Sequence, residues 1–205
     1  AGGTITTIAG SGAFGGFAGD GGLATAATLS MPLDIARGPA GVIHFADSGN
    51  FRIRVIGTDG MIASASGNGT GGVSGDGGPA TAAQISTSGG LAIDSAGNTY
   101  FADGLNARIR RIATDGTITT VAGTGVSGYS GDGGPATAAK IGAQFGATAV
   151  VVDVNGNVYF SDSDNMRVRR IDTNGIITTV AGTGVQGYAG DNGPATAASL
   201  DIPMG

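Results

Sequence analysis

A tandem repeat constrains this chain more than any other feature. Four segments align with one another: Ile5-Thr-Thr-Ile-Ala-Gly-Ser-Gly12, Ile62-Ala-Ser-Ala-Ser-Gly-Asn-Gly69, Ile118-Thr-Thr-Val-Ala-Gly-Thr-Gly125 and Ile177-Thr-Thr-Val-Ala-Gly-Thr-Gly184. A Gly-Asp turn follows each, at Gly19-Asp20, Gly75-Asp76, Gly131-Asp132 and Gly190-Asp191. The turns are spaced by 56, 56 and 59 residues, and the three extra residues fall within 141–149, as an insertion in a loop would. With a fixed period of this length, each copy is one supersecondary unit that buries its apolar surface only against its neighbours.

Within the middle period, short apolar runs occupy 90–94, 98–103, 108–113 and 117–122. Ser-Ala-Gly, Gly-Leu-Asn and Thr-Asp-Gly separate them, which is the chemistry of hairpin connections. Each period therefore predicts a four-stranded antiparallel meander, and stacked meanders make the blades of a propeller. The unbroken apolar stretch Ala149-Val-Val-Val152 suits an innermost strand packed on both faces. The Arg-rich stretches Arg52-Ile-Arg-Val-Ile56, Arg108-Ile-Arg-Arg-Ile112 and Arg167-Val-Arg-Arg-Ile171 read as third strands, farther out and partly solvated.

The run from Ala92 to Arg110, Ala-Ile-Asp-x-x-Gly-Asn-x-Tyr-Phe-Ala-Asp-x-x-Asn-x-Arg-Ile-Arg, resembles the NHL repeat, and 36–54 and 151–169 are variants of it. The long Gly-Asp-Gly-Gly-Pro-Ala-Thr-Ala-Ala connection is similar to that of large bacterial secreted or surface NHL proteins. The resemblance implies an all-β propeller. It also implies a scaffold whose members bind proteins or RNA, with a few related propellers acting as lyases or lactonases.

The predicted organisation is a single propeller segment, 1–205. It comprises an extra outer strand and loop (1–30, with the strand at 4–9), blades at 31–86, 87–145 and 146–182, and a trailing loop at 183–205. Propellers close with four to eight blades, so three leave two apolar faces to be covered. Further blades of a longer parent, a head-to-tail pair making six blades, or a row of copies would each do so.

Composition narrows the function classes. The 42 glycines, 12% charged residues and complete absence of Glu fit many short strands joined by tight turns and disfavour long helices. A net charge of −5 argues against a nucleic-acid footprint and an anionic membrane surface. No apolar run approaches a membrane span. Without Cys there is neither a disulfide framework nor a thiolate site.

Two Asp sets are expected on one face of the wheel. Asp20, Asp76, Asp132 and Asp191 lie in the long connections, and Asp47, Asp103 and Asp162 end the second strands. Such oxygen-rich loops suit Ca²⁺. A cap is the competing reading, with Asp132 accepting backbone N–H bonds at the start of the Pro135-Ala-Thr-Ala-Ala139 turn. Repetition favours the cap, which every blade needs. The Asp-x-x-Asn-x-Arg motifs (Asp47, Asn50, Arg52; Asp103, Asn106, Arg108; Asp162, Asn165, Arg167) could hold an anionic or sugar ligand. The same spacing suits a tight turn with Asn in a left-handed conformation and this Arg reaching back to Asp. His44 stands where the other periods have Tyr100 and Tyr159, which favours packing over catalysis.

These readings predict a non-enzymatic extracellular or cell-surface scaffold that binds a protein or glycan through its loop face, with no obligate cofactor, no nucleic-acid partner and no membrane insertion. Self-assembly through open blade flanks and a metal-dependent hydrolase or lyase are the alternatives.

Overall fold

The computed structural model describes residues 2–13, 15–86, 89–143 and 147–204. It contains three four-stranded antiparallel sheets, each a meander in chain order. Blade 1 comprises β1 (Pro32–Arg37), β2 (Ile43–Asp47), β3 (Arg52–Ile56) and β4 (Ile62–Ser66). Blade 2 comprises β5 (Leu91–Ile93), β6 (Thr99–Asp103), β7 (Arg108–Ile112) and β8 (Ile118–Ala122). Blade 3 comprises β9 (Ala147–Val152), β10 (Val158–Asp162), β11 (Arg167–Ile171) and β12 (Ile177–Ala181). Helical residues are confined, among those described, to single 3-10 turns of three residues. The Gly- and Asp-rich connections leave no room for more.

Part of the three-residue insertion read at 141–149 falls on 144–146, outside the described residues. The stretch 4–9, read as an extra outer strand, joins none of the three sheets, and Ile5 is 97% exposed. Its sequence is that of a fourth strand, but among the described residues no strand pairs with it.

The blades stack through alternating side chains. From blade 2, Leu91, Phe101, Ile112 and Ile118 point back onto Ala46 and Ile53 of blade 1, whereas Tyr100, Ala102, Ile109 and Ala122 point forward onto Val150, Val158, Phe160 and Ile171 of blade 3. Blade 2 thus contributes one face to each of two cores. First strands touch first strands, β1 with β5 and β5 with β9, which places them nearest the axis.

The long connection seals the outer rim. After leaving blade 1 it pairs with the outer strand of blade 2 (Gly77 N–H to Ile118 O, 2.8 Å; Ile118 N–H to Gly78 O, 3.0 Å; Ala80 N–H to Gly116 O, 2.8 Å). Only then does it turn inward to β5, tucking Ala80, Ala83 and Ile85 into the inter-blade core. The strap between blades 2 and 3 repeats this with Gly133, Gly134 and Ala136. Its glycines are required by close approach. At Gly131 (φ +92°) a Cβ would lie 2.6 Å from that of Ala139.

Candidate functional site

The two Asp sets do come together, and the cation between them is one of the protein's own arginines. Arg110 Nη2 lies 2.7 Å from Asp76, in the strap leaving blade 1, and its Nη1 lies 3.5 Å from Asp103 of its own blade. Arg54 bridges Asp20 and Asp47 at 2.7 and 3.2 Å, and Arg169 bridges Asp132 and Asp162 at 2.6 and 3.5 Å. All three guanidinium groups are fully buried, as are Asp47, Asp103 and Asp162. The strap carboxylates stay partly exposed, Asp76 by 48%.

Strand alternation explains the arrangement. Asp103 and Phe101 project from the same face of β6, and Arg110, which pairs in register with Phe101, shares that face from β7. Arg110 is therefore the diagonal neighbour of Asp103 and looks back toward the preceding blade. A bulge in the β7–β8 pairing between Ile109 and Arg110 recurs at Ile53/Arg54 and Val168/Arg169, and such bulges re-aim side chains.

This corrects two expectations. Arg52, Arg108 and Arg167 do not reach back to the Asp of their motif. They donate to backbone carbonyls, Arg108 to Asn106 and Thr124 at 3.2 and 3.0 Å, Arg52 to Gly67 at 2.6 Å and Arg167 to Thr183 at 2.5 Å. The arginine two residues later holds the carboxylates. Nor does Asp132 cap the Pro135 turn, whose first residues receive no side-chain hydrogen bond. It accepts bonds from Arg169, the Thr179 N–H and the Tyr129 hydroxyl instead. The third strand is partly solvated as expected, with Arg108 and Arg111 half-buried, although its central arginine is fully enclosed.

The predicted turn does form. Asn106 Nδ2 donates to Asp103 at 2.6 Å and to Gly72 O in the preceding strap at 2.6 Å, with Asn50 and Asn165 doing the same toward Gly16 and Gly128. The left-handed residue is not Asn but the one after it, Phe51, Ala107 or Met166. The motif thus fastens the second-to-third-strand turn to the strap and fixes both on one face.

Environment separates the carboxyls electrostatically. Burial raises Asp103 and Asp162 above the ordinary carboxylate value, outweighing their hydrogen bonds and arginines. Asp132 is also penalised by burial, but donors from Thr179, Arg169 and Tyr129 prevail and hold it low. Burial lowers His44, whose Nδ1 is 3.1 Å from Thr99 Oγ1 across the blade 1–blade 2 interface.

With an arginine between each pair of Asp residues, the Ca²⁺ reading loses its donors. Among the described residues no three His, Cys, Asp or Glu side chains converge. Asp191 is the exception to the clasp: it accepts a hydrogen bond from the Tyr188 hydroxyl at 2.8 Å, and among the described residues it pairs with no arginine. The exposed apolar and aromatic groups of these loops were missed in the sequence. Tyr129 stacks on Arg167 at 3.6 Å, Phe17 on Arg52 at 4.0 Å, and Leu105, Val126 and Val185 stand 63%, 55% and 64% exposed on the locked loops. Val126 and Val185 each follow a Gly-Thr-Gly bend, the signal that could have placed them outward.

Comparison with known proteins fits this architecture. The Teneurin NHL domain model matches residues 68–130, a little over one period, and the other periods repeat the motifs of that stretch. No curated protein sequence matches it. Among solved structures, a protein of unknown function from Bacteroides thetaiotaomicron is similar with a TM-score of 0.64 at 19% identity, over 84% of this chain and 41% of that one. Auxiliary nutrient binding proteins from Bacteroides thetaiotaomicron (TM-score 0.62, 18% identity, 84% of this chain, 41% of that one) and Bacteroides ovatus (0.60, 16%, 88% and 44%) are similar too. The chain therefore spans about two fifths of the length of these structures, and the likeness is one of fold. No helix among the described residues is long and apolar enough to cross a membrane.

Proposed function

We propose that this arc of NHL-type repeats is a non-enzymatic recognition and scaffolding module that acts outside the cell and binds a protein or glycan through its loop face. One observation carries the reading: on that face the clasp carboxylates are engaged internally, while Leu105, Val126, Val185 and Tyr129 are displayed on loops held by hydrogen bonds. Apolar and aromatic groups on preorganised loops bind with little ordering cost. Acid–base chemistry would need a free, positioned group, and each buried carboxylate here already faces an arginine. The auxiliary nutrient binding proteins that share the fold support a binding role.

The test is binding of labelled chain to a printed glycan array and to a panel of purified surface and matrix proteins, comparing wild type with the double variant Leu105→Asp/Val126→Asp. We expect a retained glycan or protein whose affinity falls at least about tenfold in the variant, consistent with losing two apolar contacts of about 1 kcal/mol each. Retention of nothing, or binding that ignores both substitutions, would count against the proposal.

A further inference from the structure

One strap residue covers the motif arginine of the blade ahead. In the strap before blade 3, Tyr129 lies over Arg167 at 3.6 Å and reaches Arg169 at 4.9 Å, and its hydroxyl donates to Asp132 at 2.9 Å. With its single proton engaged there, the hydroxyl accepts in its 3.2 Å contact with Thr179 Oγ1. In the strap before blade 1, Phe17 lies over Arg52 and Arg54 at 4.0 and 4.7 Å. Three residues ahead of the clasp aspartate, where these straps carry Phe17 and Tyr129, the strap before blade 2 carries Val73.

The shorter side chain leaves several groups at blade 2 unpaired. Among the described residues no ring lies over Arg108, whose Nη1 and Nη2 donate in their own plane to Asn106 O and Thr124 O at 3.2 and 3.0 Å, so its face has no aromatic partner. Asp76 engages only Oδ1, with Arg110 at 2.7 Å, and its side chain is 48% exposed against 33% for Asp132 and 35% for Asp20. The N–H that Thr179 gives Asp132 (3.0 Å) and Ser64 gives Asp20 (3.1 Å) has no equivalent, among the described residues, from Thr120 to Asp76. The Thr120 hydroxyl is buried without a hydrogen-bond partner, a cost that a bound polar group would remove. All of these groups belong to the interior of the arc, with blade 1 behind them and blade 3 ahead.

We infer that Val73, Asp76, Arg108 and Thr120 form a subsite for one tyrosine side chain of a bound polypeptide. The neighbouring repeat is the template for the occupant. Its ring lies over Arg108 as Tyr129 lies over Arg167, and its hydroxyl donates to Asp76 Oδ2 and accepts from Thr120 Oγ1, as that of Tyr129 meets Asp132 and Thr179. Each contact pairs a group that is now unpaired. A planar ring suits the guanidinium face, and the carboxylate selects a ring that carries a donor over a plain benzyl group. Leu105 and Val126, 63% and 55% exposed, lie within two residues of the carbonyls that hold Arg108 and give the residues flanking the tyrosine apolar ground. The assignment rests on the loop-face reading above and narrows its partner to a protein.

Titration of the 205-residue chain with N-acetyl-tyrosinamide, followed by NMR at the Arg108 Nε–H and the Asp76 carboxyl carbon, tests this. We expect saturable shifts at both groups, binding of N-acetyl-phenylalaninamide at least about threefold weaker, and loss of the response in Val73→Tyr, which supplies the ring from within. Val73 is 42% exposed, and a melting temperature of Val73→Tyr at or above that of wild type is the control for folding. No shift at either group up to the solubility of the amide, equal affinity for the two amides, or an undiminished response in Val73→Tyr would each overturn the assignment. Because the titration needs no partner, it is separable from the array test. A retained protein that binds Val73→Tyr as tightly as wild type removes the subsite and leaves the loop-face reading standing, whereas an array that retains nothing, beside saturable shifts, counts against that reading and leaves the subsite.

Discussion

Arg110 on the third strand of blade 2 lies 2.7 Å from Asp76, which belongs to the strap leaving blade 1, so one buried guanidinium ties two successive repeats together. Its second contact, Asp103 at 3.5 Å, lies in its own blade. A repeat protein is stabilised largely by such nearest-neighbour terms, and here the term is a charge sealed between apolar faces.

Arg110 and Asp76 should therefore be unequal in mutagenesis. Arg110→Met leaves Asp103 buried without a cation and should cost about 3–5 kcal/mol, whereas Asp76→Asn removes a half-exposed partner and should cost about 1 kcal/mol or less. Urea unfolding of the two variants checks the ranking. Equal costs would mean that the buried carboxylate does not need its arginine.

The clasp carboxyls should titrate in a defined order, followed by carboxyl ¹³C shifts. Asp103 and Asp162 should take up protons above the ordinary carboxylate value because burial disfavours their charge, and Asp132 below it. The signs for stability are opposite. A raised folded value contributes stability that is fully present below the unfolded value and is lost as pH rises through the raised one. Asp132 contributes stability above the unfolded value that is lost as pH falls through its lowered one. Coincident titration of Asp132 and Asp162 would contradict the environments described.

Two glycines with similar positive φ should respond differently to alanine. Gly116 (φ +83°) has nothing within 4 Å of an added Cβ, so Gly116→Ala should cost about 1 kcal/mol of backbone strain. Gly131 (φ +92°) faces Ala139 at 2.6 Å, and Gly131→Ala should add the displacement of the strap, a further 1–3 kcal/mol or so. Thermal denaturation distinguishes them, and equal melting temperatures would refute the close-packing account.

His44 should sense pH at the first blade interface. Its lowered value makes the neutral ring the stable form, so its contribution is present above the unfolded value and fades as pH falls through the folded one. His44→Phe should lose the Thr99 contact and flatten the dependence of stability on pH between about 5 and 7. The measurement is Tm against pH for both proteins, and parallel curves would show that His44 is not the sensor.

Addition of a chelator should leave Tm unchanged, since the cation between each Asp pair is a guanidinium that no chelator removes. A lowered Tm, reversed by Ca²⁺, would identify a metal site elsewhere on the loop face.

The architecture was legible in the sequence because it rests on local, repeated signals. Apolar runs of strand length, Gly-Asn and Asp-Gly turns and a fixed period are properties of neighbouring residues, and three copies of each message agree. The clustering of the two Asp sets followed from meander topology alone. Which cation they share did not, because both Arg108 and Arg110 lie within reach along the chain. Strand pairing decides between them: register sets Arg110 opposite Phe101, and the neighbouring bulge accompanies its aim at Asp76. The strap's route was equally hidden. Its Gly-Asp-Gly-Gly-Pro-Ala sequence announces a turn, but only the preceding blade's connection lying against Ile118 of the next blade makes its N–H groups part of that blade's edge. The sequence by itself determined the unit and its repetition. The tertiary structure decided how units hold one another, because those bonds join residues of neighbouring repeats, and no local pattern specifies which donor will find which acceptor.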